Sequence, residues 1–213
     1  MSKLRSFLRR SEERLRGKDV LPGPFHYSKS IFIHIPKAGG SSLSMAIYGC
    51  QVGHAMLKDY YFSLGDKMAE YRTFTVCRDP LHRAFSAFSY LQNGGSTSYD
   101  RDVKERYCLA GLSFDDFVAD FLPKLISDRV IHFIPQFEFV ERYRGGVIGV
   151  DKVFKYEDIF SNIDPLSEFL SCDVSVDSLN KGQGGGARLF GDDVRAKVMD
   201  IYDKDYWLFG YNI

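Results

Sequence analysis

The chain has little cysteine, and none of it is paired in sequence. Cys50, Cys77, Cys108 and Cys172 are widely spaced, and no C-x-x-C occurs in the 213 residues. This spacing argues against zinc ribbons and redox pairs and fits a reducing compartment. There is no excess of charge either: Lys plus Arg and Asp plus Glu number 28 each. A basic footprint for nucleic acid is therefore absent, and any preference for an anion has to be built locally. No apolar run reaches the roughly 18–20 residues of a membrane-spanning helix. No continuous apolar h-region marks a secretory signal.

What is present is enough apolar material, 45% of residues, for one sizeable core. Residues 1–20 read as a basic amphipathic helical extension with Leu4, Phe7, Leu8 and Leu15 turned inward. Glu12 and Glu13 argue against a mitochondrial presequence. Residues 31–213 read as the core. Ile31–Ile35, Thr73–Cys77 and Lys152–Tyr156 are expected as buried strands. Helices are expected over Ser41–Tyr48, after Asp79-Pro80, after Ser113, from Asp164, and as one element in the tail. Asn93–Asp102 reads as a loop. Strands alternating with helices predict an α/β fold: a single P-loop-like domain with a central parallel sheet flanked by helices.

The chemistry-bearing stretch is "IFIHIPKAGGSSLSMAIYG", Ile31 to Gly49: a strand, a glycine turn and a helix N-terminus, which together cradle anions. The order of a Walker A, G-x-x-x-x-G-K-[ST], is inverted here. Lys37 precedes Gly39 and Gly40, and no Lys follows them. No Asp closes an apolar strand as a Walker-B carboxylate would. A nucleoside-triphosphate kinase is disfavoured on that chemistry. An early Lys, two glycines, Ser41 and Ser42 suit a compact tetrahedral anion, with no metal required. In "CRDPLHRAFSAFSY", Arg78 ends the second strand and Ser86 lies about two turns into the next helix. An Arg there can clamp a second phosphate. Two anion sites on adjacent strands imply a nucleotide with phosphates at both ends of its ribose.

These segments resemble the sulfotransferases that use 3'-phosphoadenosine 5'-phosphosulfate (PAPS). The likeness is closest to the carbohydrate branch, with its heparan 2-O- and chondroitin-type enzymes and small bacterial relatives. "HIPKAGGSSL" is similar to that family's 5'-phosphosulfate loop, and "CRDPLHRAFSAF" to its 3'-phosphate motif. "IHFIPQFEFV" with "VFKYEDI", and the tail "IYDKDYWLFGY", extend the likeness from about Ile31 to Tyr211. The resemblance implies that Lys37, Ala38, Gly39, Gly40, Ser41 and Ser42 hold the phosphosulfate and that Arg78 and Ser86 hold the 3'-phosphate. The stretch from Lys181 to Arg188 would close over the nucleotide. PAPS would be the donor substrate, 3',5'-adenosine bisphosphate the product, and a hydroxyl of a glycan or glycoside the acceptor. No metal would be needed, and the lack of a membrane anchor, which sets the chain apart from typical Golgi enzymes of this kind, leads to the expectation of a cytoplasmic protein.

In-line transfer needs aligned reactants, stabilisation of the leaving oxygen by Lys37 and the loop N–H groups, and a base active near neutral pH. His54 is the expected base, because the family's base follows the first helix in a comparable Gly-His context. His132 is the runner-up, and Glu70 and Glu138 are further alternatives. His26 is expected in a loop, His34 filling a sheet face, and His82 beside the wrong phosphate. Arg83 reads equally as an acceptor contact or a surface residue. Tyr60, Tyr61, Phe62, Tyr90 and Tyr99 could form a sugar-stacking platform; Tyr206, Trp207 and Phe209 read as packing. The competing readings are a non-catalytic nucleotide-binding protein of the same fold and a P-loop kinase.

Overall fold

The computed structural model describes residues 21–142, 147–175 and 190–212. The helix expected over residues 1–20, and Lys181 and Arg188, lie outside them. Helix α1 (Gly23–Ser28) leads into strand β1 (Ser30–Ile33), whose four residues are all buried. The strand ends at Ile33, short of the expected Ile35, because the chain turns at Pro36. Helix α2 (Gly40–Tyr48) follows and stops where Gly49 takes a left-handed φ of 67° and its N–H donates to Met45 O. Helix α3 (Leu57–Leu64) and a 3₁₀ turn lead to β2 (Arg72–Cys77). Asp79 then caps α4 (Pro80–Gln92), accepting from His82 N at 2.8 Å with Pro80 at the first helical position.

Residues 93–102 are not the loop expected. Helix α5 (Ser98–Arg106) starts inside them. Thr97 Oγ1 accepts from Asp100 N at 3.1 Å, and Asp100 Oδ2 accepts from Thr97 N at 3.0 Å. That reciprocal cap is legible in T-S-Y-D, a capping-box spacing with Asp in place of Glu. Ser113 caps α6 (Phe114–Asp116) as expected, and the helix passes through a π turn into α7 (Leu122–Ser127). Helix α8 (Phe137–Val140) and strand β3 (Lys152–Lys155) follow. Tyr156, expected in the strand, opens α9 (Tyr156–Ile159), and α10 (Asp164–Leu170) comes next. The tail is two helices rather than one, α11 (Asp192–Ile201) and α12 (Asp203–Phe209), broken at Tyr202.

The strands form one parallel three-stranded sheet in the order β1-β2-β3, in register Ile33 with Thr75 and Cys77 with Lys155. The protein is thus α/β, and the turns leaving all three strands emerge at one edge. Ile31, Phe32, Ile33, Phe74, Val76 and Cys77 belong to a core that also takes in Leu43 of α2 and Leu57 of α3. A second apolar cluster is helical: Leu81, Ala84, Phe88 and Leu91 of α4 meet Val103, Phe117, Leu122 and Val198. Cys77 is buried, as its apolar surroundings in sequence implied. Among the described residues, no helix is long and apolar enough to cross a membrane.

Candidate functional site

The turn after β1 is built around two glycines for reasons internal to the protein. Gly39 has a φ of 78°, and a Cβ there would lie 2.7 Å from Phe160 Cζ and 2.8 Å from Tyr156 Cδ2. Gly40 opens α2; a Cβ there would lie 2.9 Å from His34 Cγ and closer still to Cδ2 and Nε2. Lys37 also takes a left-handed φ, 67°, which a residue with a Cβ adopts at a cost of about 1–2 kcal/mol. Arg78 helps hold it there by donating from Nη1 to Lys37 O at 3.3 Å. The N-cap of α2 is Gly39, which has no side chain to satisfy the helix's first N–H groups; they lie beside an exposed Ser41 and a half-buried Ser42. Ala38 is buried.

Arg78 leaves the end of β2 and lies over the Tyr156 ring, 4.4 Å from its centroid. Its backbone is clamped by Gln136, whose Oε1 accepts from Arg78 N at 3.0 Å while Nε2 donates to Arg78 O at 2.8 Å. Gln136 is held in turn by Asp205, which accepts from the N–H groups of Gln136 and Phe137, both at 2.8 Å. Burial pushes the Asp205 carboxyl up to about 6. Neither Gln136 nor Asp205 stood out in the sequence beyond the resemblance, because a buried Gln carries no distinctive pattern of its own.

Lys37 reaches across to α4, where its Nζ sits 3.9 Å from the centroid of the Tyr90 ring. Burial, reinforced by the Arg78 charge, lowers the ammonium to about 8. Ser86 stands one helical turn before Tyr90 on the same helix, which places it on the Lys37 side of α4. The sheet edge thus brings together Lys37, the α2 N-terminus and Arg78, while Ser86 is half-buried on the turn of α4 before Tyr90.

No family model matches the chain, and no curated protein does.

Two of the five histidines meet beside the α2 N-terminus. His34 is buried, stacked on Phe32 at 5.5 Å, with its ring centroid 4.2 Å from that of His54. The Nδ1 of His54 lies 2.9 Å from His34 O. A carbonyl oxygen only accepts, so Nδ1 carries the proton and Nε2 is left with its lone pair. Burial keeps His54 below its ordinary 6.5 and pushes His34 down to about 3, so both imidazoles are neutral at pH 7. His132 is also buried. Its Nε2 is 3.5 Å from Asp100 Oδ1, its Nδ1 has no hydrogen-bond partner among the described residues, and burial pushes it to about 4.

The other candidates fall elsewhere. Glu70 pairs with Lys29 at 3.1 Å and Glu138 with Arg129 at 2.6 Å. His26 sits in the last turn of α1 rather than a loop, its Nδ1 2.8 Å from the Tyr71 hydroxyl. His82 is exposed and bonded to Asp79 at 2.9 Å. Arg83 is neither an acceptor contact nor a surface residue. It is 1% exposed and donates to Pro36 O, His132 O and Ile134 O at 3.4, 3.2 and 2.7 Å. It ties the Lys37 turn to the His132 segment. The five aromatics do not share one face: Tyr60 is in the core, Tyr61 lies under Arg142, and Tyr90 under Lys37. Trp207 was expected to pack and is 79% exposed, while Tyr206 and Phe209 are buried. Among the described residues, no three His, Cys, Asp or Glu side chains converge as a metal site would need.

Proposed function

We propose that the protein is a PAPS-dependent sulfotransferase that moves the sulfuryl group to a hydroxyl of a carbohydrate or glycoside. The reading rests chiefly on one observation: Lys37, Arg78 and a neutral His54 gather around an uncapped helix N-terminus where parallel strands end. The donor's 5'-phosphosulfate fits the N–H groups of Gly40, Ser41 and Ser42, and its 3'-phosphate is assigned to Arg78 and Ser86. Lys181 and Arg188 are assigned to the nucleotide by resemblance alone.

In this scheme the acceptor hydroxyl gives its proton to His54 Nε2, and the oxygen attacks sulfur in line. The bond from sulfur to the 5'-phosphate oxygen breaks, and the bisphosphate leaves. Lys37 and the α2 N–H groups offset the charge that grows on that oxygen. The His34 carbonyl keeps His54 in the tautomer that can accept. His132 is less suited to the role: it is 8% exposed and set against Asp100.

The deciding measurement is calorimetric binding of 3',5'-adenosine bisphosphate, compared with ATP, in EDTA. Micromolar binding of the bisphosphate without metal, and weaker binding of ATP, is the expected result. Preference for ATP, or binding that appears only when magnesium replaces the EDTA, would return the loop to the kinases. Tight bisphosphate binding without turnover on any hydroxyl acceptor would favour a non-catalytic nucleotide binder.

A further inference from the structure

We propose that Tyr90 and Asp100 form a seat for the Lys37 side chain, in which Asp100 is a positioning residue acting on Lys37 through the Tyr90 ring. Neither residue belongs to the Lys37 turn, and Asp100 lies in the stretch Asn93–Asp102 that read as a loop. The carboxylate is 2% exposed and is surrounded by donors. Its Oδ2 accepts from the Tyr90 hydroxyl at 2.8 Å, from Ser96 N at 3.1 Å and from Thr97 N at 3.0 Å. Ser96 also serves the phenol: its N–H donates to Tyr90 Oη at 2.9 Å, and its Oγ lies 2.6 Å from the same oxygen. Gly95 makes the turn possible, with a φ of 59° and no room for a Cβ, which would lie 2.6 Å from Asp100 Cγ.

The chemistry runs in one direction. A carboxylate that takes the phenol's hydrogen bond pushes electron density into the ring. The ring face then attracts the half-buried Lys37 ammonium more strongly. The described groups coupled to that ammonium are Arg78 at the end of β2, the neutral His34 and His54, His132 with its ring 5.4 Å from that of Tyr90, and Asp100. Among the described residues, Asp100 is the carboxylate that acts on it. Burial alone pushes its acid form to persist, but the Tyr90 hydroxyl and the Thr97 and Ser96 groups outweigh this and hold it below the usual range. The seat therefore keeps Lys37 charged and aimed before any donor arrives.

The inference rests on Lys37 having the charged role given above, but the seat is tested without a donor. Acylation of Lys37 by acetic anhydride is followed across pH by peptide mass spectrometry, with exposed Lys58 as internal reference. In the unaltered protein, Lys37 should titrate near 8. Asp100→Asn should raise its acylation at pH 7 about three- to five-fold, the change produced by a fall of half a unit to one unit. Tyr90→Phe, which keeps the ring and removes the link, should give a smaller rise in the same direction. If Asp100→Asn does not fold, by circular dichroism, Tyr90→Phe decides alone. Unchanged Lys37 reactivity in the folded variants overturns the seat. Bisphosphate calorimetry on the same preparations separates the two ideas. A Lys37 shift without nucleotide binding leaves the seat and removes the sulfotransferase; binding without a shift does the reverse.

Discussion

Gly40 has two competing explanations, and substitution separates them. One is close approach of an anion to the backbone. The other is His34, whose ring fills the space where a Cβ would go. Gly40 is helical, and no left-handed φ is involved. On helix propensity alone, Gly40→Ala should stabilise the protein by up to about 1 kcal/mol. His34 reverses that sign. Its ring is buried, stacked on Phe32 and set against His54, so it has no free direction in which to retreat. Overpacking of this kind costs about 1–3 kcal/mol. At about 2–4 °C per kcal/mol for a chain of this size, the thermal midpoint should fall by several degrees. The assay is urea and thermal unfolding of the single variants and the double variant. In a His34→Ala background the clash is gone, so Gly40→Ala should become neutral or stabilising, a coupling of about 1–3 kcal/mol. Additive effects, or a stable Gly40→Ala protein that merely loses nucleotide binding, would refute the packing explanation.

Arg83→Met should cost about 3–5 kcal/mol in urea unfolding, because three carbonyls lose their donor and the buried Asp205 loses its neighbouring charge. A loss below 1 kcal/mol would show the residue to be dispensable for folding. Acid should destabilise the protein early. His34 and His132 have folded values of about 3 and 4 against an unfolded 6.5, so their contribution is full above 6.5 and is lost as pH falls toward those values. The slope is about 1.4 kcal/mol per pH unit per imidazole, and a flat urea midpoint between pH 6.5 and 4.5 would contradict it. If sulfuryl transfer is the reaction, His54→Ala should lower turnover about 100- to 10,000-fold with bisphosphate affinity nearly intact, and the acid limb of kcat/KM should lie below 6.5. An acid limb above 6.5, or the same loss from His132→Ala alone, would move the base elsewhere.

Much of the fold was legible because local chemistry and tertiary structure agree. Apolar runs bounded by turn residues became β1, β2 and β3, and Asp79-Pro80 started α4 as such a pair should. The misses have physical causes. T-S-Y-D looked like loop because Gly94 and Gly95 dominate the composition before it, yet Thr97 and Asp100 cap α5 reciprocally. The tail read as continuous because its apolar period barely changes at Tyr202, where the chain bends. Within the site, Lys37 and Arg78 were found from their position after strands, and the structure joins them through one hydrogen bond. Arg83 was misjudged because charge predicts exposure, whereas three buried carbonyls hold it inside. Asp100 and Tyr90 were invisible as a pair, since only the turn at Gly95 brings them together.

The clamp on Arg78 also sets an order of events during synthesis. Arg78 is fixed by Gln136, and Gln136 is fixed by Asp205, 69 residues further along the chain. At roughly 5–20 residues per second, about 3–14 s separate the appearance of Gln136 on the ribosome from that of its anchor. Through that interval Gln136 is present to bond the Arg78 backbone, but the carboxylate that holds Gln136 itself is not. If the protein binds the bisphosphate, a nascent chain stalled before residue 205 should therefore form β1 and α2 while holding that ligand more weakly than the full chain.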